Sequence, residues 1–182
     1  MIEFLKFQIK ALQLQIQIAQ IQLQILLFNK KLTVPNLPGP KYIVLHHGAG
    51  SLDFNGVNEY HKQKWGFKSS LGFFIGYQYF IEYSGKVYQG RADNERAAHT
   101  VEASRPYWWN DNSIGICLQG NFEEEYPTEV QLKSLEELLN KKMAEYKISR
   151  VGIFGHRNIA ATLCPGKNLF SWLLIFKGRV IS

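Results

Sequence analysis

The amino-acid sequence predicts a single α/β domain, with a mixed sheet flanked by helices, preceded by a separate amphipathic helix. From Tyr42 onward, short apolar segments typical of strands alternate with amphipathic segments of helical period, which indicates a central sheet with helices packed on it. The composition changes sharply near Val34, where a proline-rich stretch follows a segment of Ile, Leu and Gln. We therefore expect an N-terminal helix over residues 1–33, a stiff linker over 34–40 and the α/β domain over 41–182.

The charge and the cysteine content narrow the possible partners. The 182 residues have a formal net charge of +6, which favours an anionic partner such as nucleic acid, anionic lipid or a cell-wall polymer. The basic residues are spread along the chain without a dense cluster, so we do not expect binding to nucleic acid. Two cysteines, Cys117 and Cys164, are too few for a disulfide-stabilised scaffold.

Residues 1–30 contain two series of apolar side chains, each spaced alternately three and four residues apart. One series runs from Ile2 to Leu26 and the other from Phe7 to Phe28, with glutamines between them. On a helix the two series lie on nearly opposite faces. This predicts a homo-oligomeric coiled coil or bundle, attachment to a membrane surface, or packing on the chain's own domain. Near-strict alternation over residues 11–25 leaves a strand as the alternative, and the glutamines argue against a membrane-spanning helix.

Within the α/β domain, turn signals and hydrophobic periodicity predict the elements. Ser84-Gly85 is typical of a hairpin turn, and Thr128 with Gln131 forms the pattern of a helix capping box. The expected elements, in order, are a strand at 42–45, a helix at 57–65, a hairpin of 78–83 and 86–89, a strand at 113–119, a helix from 128, a strand at 151–154 and a helix from 168.

Two histidines follow the ends of predicted strands, where side chains project from a rigid sheet into loops. These are His46 and His156, and Cys164 comes after His156 with seven residues between them. Imidazole and thiolate are good zinc ligands, and three such ligands leave the fourth tetrahedral position open, as in catalytic sites. A histidine and a cysteine at this spacing also occur by chance, so the spacing alone permits a zinc site without requiring one.

Five segments, taken in order, carry a more specific signal: 42–50, 76–91, 98–100, 112–116 and 156–166. They resemble the zinc-dependent N-acetylmuramoyl-L-alanine amidase type 2 and peptidoglycan recognition protein family, which includes phage amidase-type lysozymes. The resemblance extends from about Lys41 to Trp172 and does not cover the N-terminal segment. It implies hydrolysis of the amide bond between the muramic-acid lactyl group and L-Ala of the peptidoglycan stem peptide, with one zinc ion per chain.

Carried over residue by residue, the resemblance gives each position an expected role. The zinc ligands are His46, His156 and Cys164, and the catalytic residues are Tyr77 and Thr162. Contacts with peptidoglycan or muropeptides are expected at His47, His99, Trp108 and Arg157. Loop aromatics such as Trp108 also commonly pack on the core, and that alternative remains open.

Some positions depart from the motif or are interpreted as structural. A related branch, which recycles muropeptides, has a catalytic glutamate at the position of Cys117 and an aspartate as third ligand. This chain has cysteine at both places, so we interpret Cys117 as a small buried strand residue. His61, on the predicted short helix, is likewise interpreted as structural.

Two alternatives to an enzyme remain at this point: a non-catalytic peptidoglycan-binding module, and a regulator of another protein that docks through the N-terminal helix. The sequence shows no recognisable signal peptide. We therefore expect cytoplasmic synthesis and action at the cell wall by an export or lysis route that the sequence does not identify, such as the holin-dependent route of an endolysin.

Overall fold

The computed structural model describes residues 10, 12–22 and 38–178 of the chain. The chain divides into two units, Met1–Val34 and Pro35–Ser182. In the first unit, residues 12–22 are helical, and large aliphatic side chains such as Leu12, Ile16 and Ile21 are about half exposed. No described helix is both long enough and apolar enough to cross a membrane. Residues 34–37 of the predicted linker and most of the two apolar series lie outside the described residues.

The second unit is built on a five-stranded mixed sheet, which confirms the predicted fold class. Its strands are β1 (Tyr42–His47), β2 (Tyr79–Ile81), β3 (Val87–Gln89), β4 (Ser113–Leu118) and β5 (Ile153–Gly155). They are ordered β3-β2-β4-β1-β5, with β1 parallel to both β4 and β5, and β2 parallel to β4. The predicted hairpin is confirmed, since β3 pairs antiparallel with β2 at the edge.

Among the described residues of this unit, four α-helices accompany the sheet: α1 (Phe54–Lys64), α2 (Trp108–Asn112), α3 (Glu129–Tyr146) and α4 (Lys167–Gly178). The capping box at Thr128 is confirmed at the start of α3. Helix α1 begins three residues before the predicted position because the Asp53 side chain accepts a hydrogen bond from the Gly56 amide at 2.8 Å. Helix α2 was not predicted. Short 3₁₀ helices precede and follow β5, at Arg150–Gly152 and His156–Asn158.

The alternation of side chains along β4 shows how the sheet separates core from site. Ile114, Ile116 and Leu118 are fully buried and pack in the main core with side chains from α3 and α4. The intervening residues, Gly115 and Cys117, lie on the other face, where α1 packs. Small residues on this face leave room beneath the carboxyl end of β1, where the candidate site lies.

Candidate metal centre

Three predicted ligands converge at the carboxyl ends of two neighbouring strands. His46 lies near the end of β1, His156 directly follows β5, and Cys164 lies in the loop before α4. One potential ligand atom from each lies within 4.8 Å of the other two. The Cys164 sulfur is 3.5 Å from Nδ1 of His46, and the His46 and His156 rings are 4.7 Å apart. The parallel pairing of β1 with β5 brings these distant segments together.

The donor set and its spacing fit a zinc ion. Tetrahedral zinc, with bonds of about 2.0–2.1 Å to nitrogen and 2.3 Å to sulfur, places these donors roughly 3.5 Å apart. The observed separation of His46 Nδ1 and Cys164 Sγ is 3.5 Å. Burial, with the neighbouring His99 and His156, lowers the pKa of His46 well below its usual value, so the ring is neutral and keeps a lone pair for a metal. Three donors leave one tetrahedral position open.

The thiol of Cys164 must lose its proton to bind a metal. Burial raises its pKa to about 12, while a hydrogen bond from the His47 backbone amide, at 3.4 Å, acts in the opposite direction. Metal binding at neutral pH would therefore release this proton, which makes metal affinity depend on pH.

The three residues line a cleft of about 750 Å³. Other lining residues come from the loop after β1, from α1 and its C-terminal cap, from the segments before β2 and α2, and from the loop before Cys164. They include Gly48, Leu52, Tyr60, His61, Trp65, Tyr77, His99, Thr100, Val101 and Thr162. Within the described part of the chain, no Asp, Glu, Lys or Arg side chain lines this cleft. The cleft therefore offers neutral polar groups and aromatic surfaces around the candidate metal position.

Tyr77 lies beside this position, just before β2. Its ring centroid is 5.2 Å from that of His46. Burial raises the pKa of Tyr77 well above its usual value, and the nearby Cys117 and Cys164 sulfurs raise it further. The phenol therefore keeps its proton at neutral pH and acts as a hydrogen-bond donor. Cys117 is fully buried on the same face of the sheet, as the sequence predicted.

Two side chains of α1 hold the segment that positions Tyr77. Asn58 accepts hydrogen bonds from the amides of residues 74 and 75, at 2.6 and 3.2 Å. His61 Nδ1 accepts from the Gly76 amide at 2.9 Å. Burial lowers the pKa of His61 to about 4, which keeps this nitrogen unprotonated. His61 has the structural role that the sequence predicted, and it also lines the cleft; the role of Asn58 was not predicted.

The roles predicted for Thr162, His47 and His99 stay predictions, and the three residues have different contacts in the cleft. Thr162 lines the cleft, and its hydroxyl oxygen accepts from the Cys164 amide at 3.2 Å. His47 also lines the cleft, while its Nδ1 accepts from the Phe122 amide at 3.1 Å. His99 contacts His46 directly: its Nδ1 is 3.0 Å from Nε2 of His46.

Trp108 and Arg157, expected to contact substrate, do not line the cleft. The Trp108 ring packs 5.5 Å from Tyr42, at the opposite end of β1 from His46. Arg157 binds Glu123 at 2.6 Å and donates to the Leu163 carbonyl. Its guanidinium thus supports the loop that carries Cys164. For Trp108 the structure favours packing, which the sequence had left open.

Comparison with known proteins gives a consistent result. The family model described as N-acetylmuramoyl-L-alanine amidase matches residues 36–167. Peptidoglycan-recognition protein SC2 of Drosophila melanogaster is 31% identical over 140 residues, covering 71% of this chain and 70% of the relative. Mouse peptidoglycan recognition protein 1 is also 31% identical over 140 residues, with 71% of each chain covered.

Solved structures show the same likeness. The N-acetylmuramoyl-L-alanine amidase LysC from Clostridium intestinale URNW matches with a TM-score of 0.64 and 32% identity, covering 76% of this chain and 85% of that one. The mixed sheet with a His-His-Cys group at its carboxyl edge defines the class as an α/β domain with a candidate zinc site. The chain belongs to the N-acetylmuramoyl-L-alanine amidase family, which includes the peptidoglycan recognition proteins.

Proposed function

We propose that this chain is a zinc-dependent amidase that hydrolyses the bond between the muramic-acid lactyl group and L-Ala of the peptidoglycan stem peptide. The observation that carries the proposal is the group of His46, His156 and Cys164 in an open cleft, with ligand atoms within 4.8 Å of one another. Proteins that only bind peptidoglycan do not need this donor set. The similar Clostridium protein is described as an amidase of this specificity.

A bound zinc ion would supply Lewis-acid chemistry: it polarises an amide carbonyl and lowers the pKa of water, so that hydroxide is available as the nucleophile near neutral pH. No carboxylate side chain lines the cleft among the described residues, and we therefore assign no carboxylate base to the reaction. Tyr77, protonated at neutral pH, donates a hydrogen bond to the carbonyl oxygen as negative charge develops on it. The Thr162 hydroxyl oxygen already accepts from the Cys164 amide, which leaves its own proton available to the same oxygen.

The test is product analysis on a defined muropeptide. Hydrolysis at the proposed bond adds one water molecule and gives two fragments, a free peptide with an L-Ala amino terminus and a muramic acid with a free lactyl carboxylate. In ¹⁸O-water the label should appear on the lactyl carboxylate. Cleavage within the glycan or within the peptide, with the lactyl–Ala bond intact, would contradict the proposal.

The alternative is a peptidoglycan-binding module without catalysis, and the names of the recognition-protein relatives favour it. Such a module would bind the same muropeptide and give no fragments, even with a full complement of zinc. Incubating zinc-loaded protein and a Tyr77→Phe variant side by side separates the two functions. Binding by both proteins with cleavage by neither supports the module.

We also propose that the chain associates with other copies of itself through residues 1–30. In the described part of this segment, the helix at residues 12–22 exposes about half of each large aliphatic side chain, including Leu14 and Ile18. Burying such side chains is worth about 1.5–3 kcal/mol each when complete, so a few shared contacts can offset the entropy cost of association.

A further inference from the structure

The ring of His99 contacts the candidate ligand His46 on the side away from Cys164. Nδ1 of His46 is 3.5 Å from the Cys164 sulfur, and Nε2 of the same ring is 3.0 Å from Nδ1 of His99. Both histidines are buried, with exposed fractions of 1% and 7%. A neutral imidazole has one nitrogen that donates and one that accepts. If Nδ1 of His46 offers its lone pair to a metal, Nε2 carries the proton and donates to His99.

The surroundings of His99 fix the matching tautomer. The Ser113 hydroxyl donates to the Trp109 carbonyl at 2.6 Å, so its oxygen is free to accept a hydrogen bond. That oxygen lies 3.5 Å from Nε2 of His99. His99 therefore donates from Nε2 towards Ser113 and accepts at Nδ1 from His46. The Thr100 hydroxyl is 2.9 Å from the same Nδ1 and 3.5 Å from Nε2 of His46, within reach of both rings.

Hydrogen bonds to the backbone of His99 and close packing on strand β4 also hold its ring in this position. The Asn110 side-chain oxygen accepts from the amides of His99 and Thr100 at 2.9 and 3.1 Å. The ring lies directly on Gly115: a Cβ atom there would be 2.4 Å from Cδ2 of His99. Glycine is therefore required in the middle of a fully buried strand, where it would otherwise weaken the sheet.

We propose that His99 is a positioning residue for the metal centre: it accepts the Nε2 proton of His46 and so holds the His46 ring with Nδ1 directed at the metal. The proposal rests on the proposed zinc function and deepens it. The resemblance implies that His99 contacts the substrate; we propose instead that His99 acts by orienting the His46 ring. Outer partners of this kind typically change metal affinity by roughly 10- to 100-fold when they are removed.

The test is zinc affinity, measured by competition with a chromophoric chelator, on a matched pair of variants. Leucine and asparagine have nearly the same shape, but only asparagine has a side-chain oxygen that can accept the His46 proton. We expect His99→Leu to bind zinc roughly 10- to 100-fold more weakly, and His99→Asn to recover most of the affinity. His61→Leu is the control, because it removes another buried cleft histidine that bonds to the Gly76 amide instead. Its zinc affinity should match that of the unmodified protein.

A third variant displaces the ring without removing it. Gly115→Ala places a methyl group where the His99 ring lies, so we expect weaker zinc binding with His99 still present. Equal affinities for His99→Leu and the unmodified protein would overturn the proposal. So would a His99→Asn variant as weak as His99→Leu, because the ring would then matter only for packing. If His99→Leu does not fold, Gly115→Ala decides, and wild-type zinc affinity in that variant overturns the proposal.

The same measurements separate this inference from the function on which it rests. Unmodified protein that binds no zinc contradicts the zinc-amidase proposal itself. Protein that binds zinc and loses it in Cys164→Ala, but keeps full affinity in His99→Leu and Gly115→Ala, contradicts only the role given to His99.

Discussion

A single methyl group at Gly76 should disable Tyr77 while leaving the metal centre intact. Gly76 is held on both sides: its amide donates to His61 at 2.9 Å, and its carbonyl accepts from the Ala98 amide at 2.9 Å. A Cβ atom at this position would be 2.5 Å from the Ala98 carbonyl oxygen. Since ordinary contacts begin near 3.4 Å, the backbone beside Tyr77 or the facing segment must move by about 0.9 Å, the difference between these distances.

A displacement of about 1 Å at a catalytic group can cost on the order of 100-fold in rate. We therefore expect kcat of Gly76→Ala on a muropeptide to fall by roughly 10- to 100-fold, with zinc content unchanged because Tyr77 is not a ligand. Overpacking should also lower the free energy of unfolding by about 1–3 kcal/mol. Gly178→Ala is the control, since a Cβ atom there would have no neighbour within 4 Å. Wild-type kcat in Gly76→Ala would show that the backbone at Gly76 does not position Tyr77.

Three further predictions follow from the described contacts. Tyr77→Phe should keep zinc and substrate binding but lose about 100-fold or more in kcat, and a fully active variant would show that the phenol only packs. The unfolded chain protonates His61 near pH 6.5, whereas the folded chain does so only near pH 4. The free energy of unfolding of the metal-free protein should therefore decrease as the pH is lowered from about 6.5 to about 4, and it should decrease less steeply in His61→Phe. The same dependence of the unfolding free energy on pH in both proteins, measured by urea unfolding, would contradict this prediction. In light scattering, the 182-residue chain should be an oligomer, and a chain starting at Pro38 should be a monomer that still cleaves muropeptide. Equal monomer masses for the two chains would contradict self-association.

Much of the fold was predictable because local patterns and tertiary packing agree. The apolar segment 113–119 predicts a strand, and three of its side chains, Ile114, Ile116 and Leu118, fill the core. The start of α1 was misplaced although the sequence marks it: Asp53 is a typical cap, and Phe54, three residues before Val57, is buried on the same face of the helix. Helix α2 is too short for helical periodicity to be visible in the sequence.

The site was predictable only in part. The resemblance named His46, His156 and Cys164, and the structure brings them together. The contact of His99 with His46 was not predictable, because it joins residues 53 positions apart and depends on Gly115 in a third segment. Trp108 shows the converse, since an aromatic loop residue has the same sequence pattern whether it faces a cleft or packs on Tyr42.

The most direct test of the zinc-amidase account is a titration of metal-free protein with zinc, in which cleavage of the lactyl–Ala bond is followed by mass spectrometry. The account predicts no cleavage without metal, activity that rises linearly with added zinc, and a plateau at one zinc ion per chain. Cys164→Ala should remain inactive at this stoichiometry because only His46 and His156 would remain as ligands. Full activity in metal-free protein, or a Cys164→Ala variant that reaches the same plateau, would contradict the account.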